Sequence, residues 1–286
     1  MGLSADRRKV APAEFGISEM MVDLYRNYSS PLSHQQLFNW HKMLTNGRRD
    51  LMDIGRYRTH EDPMQVVSAR LDRPTVHFEA PPSVDMPQEM ERFVGWFNQC
   101  HFEEPNTLLP IAKAGIAHLY FVSIHPFEDG NGRIARALSE KSISRSIGQP
   151  ALISLSKTIE SNKKAYYKAL EKNNKICEIT DWLIYFGQTI IEAQVETLRL
   201  IDFTIEKAKF FDRYSQKMNE RQLKVVNRLF AAGPQGFVGG LSAENYTRIA
   251  KTSASTATRD LKDLIDKNIL LKTGVLKGTR YWLNIK

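Results

Sequence analysis

The chain has 286 residues, 42% hydrophobic and 25% charged, with Gly 16 and Pro 12. That is the make-up of an ordinary soluble protein of about two domains, and it excludes a collagen-like, low-complexity or wholly disordered chain. The net charge of +8 lies entirely in the last quarter: Ser215 to Lys286 holds 13 Lys and Arg against 5 Asp and Glu, while 27 of each sign cancel before it. Such a local surplus is either an electrostatic footprint for a polyanion, most often nucleic acid, or a solvated face.

The first two hundred residues read mostly as helices. Leu32–Leu44 places Leu37, Trp40, His41 and Leu44 on one face, and Asn46 and Gly47 stop it. Met64–Ala80 breaks the helical rule: two β-prone runs, Gln65–Ser68 and Thr75–Phe78, flank a turn carrying Asp72 and Pro74, which predicts a short hairpin. Inside a helical body it is read as a clamp or flap with a free edge, the alternative being a bent loop. Met86–Phe97 is again amphipathic. Leu109–Ile124 is apolar nearly all round apart from Lys113 and His118, the pattern of a buried central helix. Gly132–Ile147, capped by Gly148, Asn162–Glu171 and Ile179–Phe211 complete the body.

After Asp212 the character changes. Asn219–Phe230, Ser242–Ala250 and Ser253–Asp266 read as helices, and Ile269–Thr273 with Thr279–Ile285 as a closing hairpin. Helix, helix, helix, two-stranded wing is the order of a winged helix-turn-helix domain. In the candidate recognition helix, Ser253, Ser255, Thr256, Thr258, Arg259 and Lys262 are hydrogen-bonders or cations, suited to DNA; the same module also serves in protein docking. Domains are expected at 1–212 and 213–286.

The densest polar cluster, residues 125–136, reads HPFEDGNGRIAR. Gly130 and Gly132 let the backbone approach a phosphate, and the helix that follows points its positive end there. Arg133 and Arg136, three apart, share one helical face and can grip phosphate oxygens. Asp129 is a hard oxygen ligand suited to Mg²⁺ beside a polyphosphate. His125 is the group whose ordinary pKa suits proton transfer near neutral pH. Asn131 adds an amide.

This stretch resembles the Fic family motif His-x-Phe-x-Asp/Glu-Gly-Asn-Gly-Arg-x-x-Arg at every fixed position, and the chain from about Met20 onward is similar to bacterial Fic proteins that carry a C-terminal winged helix. Gly55–Arg58, MQVVSA, VHFEAPPS and the tyrosine pair in KKAYYKALE support the likeness. It implies a mainly α fold: a Fic-type helical bundle with a β-hairpin flap (64–80), then the winged helix. It also implies a protein adenylyltransferase that moves AMP from Mg²⁺-ATP to a Ser, Thr or Tyr hydroxyl of a protein and releases pyrophosphate, auto-modification included. His125 would be the general base, Asp129 would hold Mg²⁺, and Asn131 with the Gly130 and Gly132 amides would stabilise oxygen charge. Arg133 and Arg136 would hold the β- and γ-phosphates, and Phe127, counted within the nucleotide-binding loop, would point into the core and anchor it. The hairpin would pair with the target's backbone as an added strand, and Tyr166 and Tyr167 would line the adenine side.

Many relatives carry an inhibitory Ser/Thr-x-x-x-Glu-Gly/Asn helix. Here glutamate precedes Gly or Asn only at Glu244-Asn245, inside the winged helix, with Gly240 four residues earlier, so the chain as given is expected to have an uninhibited γ-phosphate site. Three readings stay open beside AMP transfer: transfer of another phosphate-bearing group, removal of AMP, and a DNA-binding regulator in which the Fic domain senses nucleotide. The resemblance also admits a homodimer, and no membrane partner is expected.

Overall fold

The computed structural model describes residues 12–67, 76–99 and 108–285. These form two compact units that divide between Gln194 and Val195. The first holds helices α1 (Pro12–Arg26), α2 (His34–Leu44), α3 (Met86–Asn98), α4 (Pro110–Ile124), α5 (Asn131–Ile147), α6 (Leu155–Ser161), α7 (Lys163–Asn173) and the start of α8 (Thr180–Tyr214). The hairpin of β1 (Gln65–Val67) and β2 (Val76–Glu79) lies between α2 and α3 in sequence.

The expected helices form, with ends set by local chemistry. Ser33 caps α2 by accepting the Gln36 amide, and Gly148 ends α5 at φ +73°. The all-round apolar α4 is the central helix, packed along α5. Its two polar interruptions are both satisfied inside: Lys113 Nζ donates to the Gln99 carbonyl at 2.7 Å, and His118 Nε2 shares a 2.8 Å hydrogen bond with the Tyr166 hydroxyl. One face of the bundle buries Leu37, Trp40, Phe93, Phe121, Phe127 and Ile134; another gathers Trp182, Phe186, Tyr166 and Leu155.

Two helices, α1 and α6, appear where the periodicity predicts none. Helix α6 has only 7 residues, too short for a periodic signal. Helix α1 docks by a close backbone approach and a polar anchor. A Cβ on Gly16 would stand 1.7 Å from the Met43 carbonyl oxygen, and Trp40 Nε1 donates to Asp23 Oδ2 at 2.6 Å.

The hairpin is antiparallel, pairing Gln65 with Glu79, Val66 with Phe78 and Val67 with Val76, with an irregularity between Val66 and Val67. The expected turn residues Asp72 and Pro74 lie outside the described residues. Within those described the sheet has only two strands, so each strand keeps an unpaired edge.

The second unit contains the rest of α8, then α9 (Glu220–Phe230), α10 (Ala243–Ala250) and α11 (Ala254–Asp266), closed by β3 (Leu270–Thr273) and β4 (Arg280–Leu283), with Leu241 bridged to Tyr281. Asn219 and Gln222 make a reciprocal capping box on α9, and Ser242 and Ser253 cap the next two helices. Asp260 ties the three together: Arg221 donates to both its oxygens at 3.0 and 3.1 Å, and Tyr246 Oη donates at 3.0 Å. The core of this unit already begins in α8, where Phe203 and Phe210 pack on Phe230. This unit therefore includes the last part of α8, from Val195 to Tyr214. Nothing in the sequence marks the division, because α8 continues unbroken through residue 194.

Candidate active site

The polar loop 125–130 joins the central helix α4 to α5. It leaves α4 through His125, whose left-handed φ of 51° is uncommon for a residue with a Cβ. The strain is held by Arg58, itself 1% exposed. Its Nε donates to the His125 carbonyl at 2.9 Å, its backbone N–H donates to the Pro126 carbonyl at 3.0 Å, and Nη1 donates to Ser83 Oγ at 2.7 Å. Phe127 then enters the core, fully buried and stacked on His41 at 4.3 Å between ring centroids.

His125 Nδ1 lies 3.2 Å from the Val122 carbonyl. A carbonyl only accepts, so Nδ1 carries the proton and Nε2 is left with a lone pair. Burial, with Arg58 adding to it, holds the ring down to about 4. His125 is therefore neutral at pH 7, in the form that can take a proton.

Asp129 is kept ionised: although burial opposes it, the Gly130 amide, Arg133 and Arg48 hold its carboxyl below the usual range. Arg48 Nη1 donates to Asp129 Oδ2 at 2.6 Å, and Arg133 Nη2 stands 3.2 Å from the same oxygen. Gly130 turns the chain at φ +86° and serves as the N-cap of α5. The first amides of a helix lack intrahelical acceptors, so those of Asn131 and Gly132 face outward at the positive end of α5 beside Arg133. Arg136, one turn further, donates from Nε to Ser156 Oγ at 2.8 Å, with Tyr166 and Tyr167 close enough to act on its charge.

Of the residues picked out in the sequence, the structure brings together His125, Asp129, Gly130, Gly132, Arg133 and Arg136 around the N-terminal end of α5. Three others have positions of their own. Asn131 is 2% exposed, and its amide spans the loop, accepting the Phe127 N–H at 3.0 Å and donating to the Phe127 carbonyl at 2.6 Å. These bonds shape the loop. Phe127 is inside the core and offers no surface to a nucleotide. Tyr166 is buried against His118, whereas Tyr167 is half exposed beside it, 5.3 Å between rings.

Sequence reasoning misses the brace around this loop. Glu128 Oε2 accepts the amides of both Met52 and Asp53, at 2.8 and 2.9 Å. Asp53 accepts in turn from the Thr59 amide and hydroxyl and from Arg56. His41 Nδ1 accepts the Gly55 amide at 3.0 Å. The segment 48–59, with little periodicity of its own, is thus laced to the loop by side chains. The hints in the sequence are the run of charges from Arg48 to Arg58 and the stretch Gly55–Arg58 that supports the family likeness.

A metal cage is not present among the described residues, which contain no group of three or more His, Cys, Asp or Glu placed to hold an ion. One ionised carboxylate beside an anion site is nevertheless what Mg²⁺ requires when it arrives with phosphate oxygens, since it keeps most of its other positions for water and substrate. Asp129 fits that requirement.

Residues 31–142, which include the whole loop, match the model of the Fic/DOC family. The chain is 32% identical over 129 residues to the protein adenylyltransferase Fic of Drosophila mojavensis, and 33% identical over 129 residues to that of Culex quinquefasciatus. Each match covers 44% of this chain, and the chain spans only 24% of either relative. Among solved structures, a Fic family protein from Desulfovibrio desulfuricans G20 superposes on 96% of this chain and 76% of its own, with a TM-score of 0.51 at 20% identity. It shares the mostly helical fold with its small antiparallel strand pair.

Proposed function

We propose that the chain is a protein adenylyltransferase, moving AMP from ATP to a hydroxyl side chain of a protein. The observation that carries the proposal is a neutral imidazole with a free Nε2 at the rim of an anion site built from a helix end and two arginines. In the reaction, His125 Nε2 takes the proton of the target hydroxyl as its oxygen attacks the α-phosphorus. The bond from that phosphorus to the bridging oxygen breaks, and pyrophosphate departs with the electron pair. Arg133 and Arg136 carry the charge of the leaving group, and the amides at the start of α5 face oxygen charge on the transferred phosphoryl. Mg²⁺ held by Asp129 would neutralise phosphate charge, for which Arg48 must give up its contact with that carboxylate. Tyr167, beside Arg136, offers its exposed face to the base, with Tyr166 as a fixed wall behind it. The free edge of the β1–β2 hairpin suits an extended target segment or a segment of the same chain.

His125→Ala should abolish transfer while ATP binding, measured by calorimetry, stays within about threefold, because the base takes part only in the transition state. Loss of ATP binding in a folded variant would contradict the assignment of His125 as base.

A second reading concerns the last unit, where the basic surplus and the exposed polar face of α11 favour a winged helix that contacts DNA. In that reading the Fic domain reports nucleotide state to a regulator. Transfer from another nucleotide, or removal of AMP, would use the same loop.

A further inference from the structure

Both oxygens of Asp129 are occupied. Oδ1 accepts the Gly130 amide at 2.6 Å. Oδ2 accepts Arg48 Nη1 at 2.6 Å and faces Arg133 Nη2 at 3.2 Å. A carboxylate oxygen offers two lone pairs, so Oδ2 has none left for a cation. A divalent ion at Oδ1 would stand beside two guanidinium charges, which repel it.

The three partners differ in how freely they can leave. The Gly130 amide is fixed in the backbone at the N-cap of α5, and Arg133 rises from the first turn of that helix, where it serves the phosphates. Arg48 comes from the segment between α2 and β1, and its side chain is 40% exposed. Its Nε and Nη2 donate to the two oxygens of Asp50 at 2.7 and 2.6 Å, a bidentate pair, while Nη1 turns to Asp129. Breaking the Asp129 contact leaves this guanidinium paired, so Arg48 is the group that yields. A polyphosphate drawn to Arg133, Arg136 and the end of α5 supplies the negative charge that offsets the repulsion, and further oxygens for the cation.

We infer that Arg48 is a positioning residue that makes metal binding depend on nucleotide: it holds Asp129 Oδ2 while the site is empty and yields it, falling back on Asp50, only to a divalent cation accompanied by polyphosphate. This rests on Asp129 being the metal-holding carboxylate proposed above. The experiment titrates the full chain with Mn²⁺, read by electron paramagnetic resonance, in the absence of nucleotide. Arg48→Gln, a change at a partly exposed position, should bind Mn²⁺ about fivefold more tightly than wild type, the factor an exposed ion pair can withhold. In calorimetry, the factor by which Mn²⁺ tightens binding of a non-hydrolysable ATP analogue should fall about fivefold in the same variant, since the two couplings are reciprocal. Mn²⁺ binding within about twofold of wild type, or an unchanged coupling factor, would overturn the role of Arg48. A gain in Mn²⁺ affinity that survives in Arg48→Gln/Asp129→Asn would place the ion elsewhere and overturn the assignment of Asp129 itself.

Discussion

His125 is held in a left-handed turn by a buried arginine, and that pairing sets both its orientation and its charge. Arg58 supplies donors to three acceptors around the turn, the carbonyls of His125 and Pro81 and the hydroxyl of Ser83. Arg58→Met keeps the aliphatic stem but leaves these groups unpaired. It should destabilise the first unit by about 3 kcal/mol, seen in a denaturant titration, and should reduce transfer further than ATP binding; an unchanged stability would mean the turn is held by other groups. Glu140 makes the opposite kind of case. Burial pushes its carboxyl from 4.5 up to about 8, and Tyr25 Oη donates to it at 3.0 Å. A folded value above the unfolded one means that the protonated form is favoured in the fold. This contribution is fully present below about 4.5 and is lost as pH rises to about 8. Glu140→Gln keeps an acceptor for Tyr25 without the charge, so its melting temperature should exceed wild type by a margin that grows from pH 5 to pH 8. A constant margin would show that Glu140 does not titrate in this interval.

Elements were read from the sequence where one face of a helix is apolar and lost where docking depends on backbone contact. Helices α2 to α5 and α7 to α11 have periodic faces or strong caps, and the loop 125–136 is legible because twelve consecutive residues supply its groups. The brace from residues 48–59 is not legible, since Glu128, His41 and Arg58 act through single hydrogen bonds to backbone far away in sequence. The bonds of Asn131 across the loop are likewise set by where the chain turns, which spacing does not encode, whereas Phe127 enters the core as the resemblance implies. Helix α1 is the clearest omission. It is attached by Met20 and Leu24, both buried in the core, by the Trp40 and Gln36 hydrogen bonds to Asp23, and by the close approach of Gly16, where a methyl group would collide with the Met43 carbonyl. Gly16→Ala should therefore cost about 2 kcal/mol despite the better helix propensity of alanine, and thermal unfolding will measure it. A stabilised variant would mean that α1 shifts freely on α2.

For the whole molecule, the division of charge matters most. The site unit is close to neutral while the unit after it carries the surplus, and α11 presents Ser255, Arg259 and Lys262 on an exposed face. If that face contacts DNA, the logarithm of the duplex binding constant should fall linearly with the logarithm of salt, and Arg259→Ala/Lys262→Ala should reduce the slope by about 2. A salt-insensitive titration would turn the unit into a protein-docking module instead. The central claim stands apart from that result, and transfer itself tests it most directly. The purified chain is incubated with Mg²⁺, a cell lysate and each α-³²P nucleoside triphosphate in turn, beside His125→Ala. The account predicts label on protein from ATP alone, absent in the variant. Label that persists without His125, or no protein label from ATP, would contradict it.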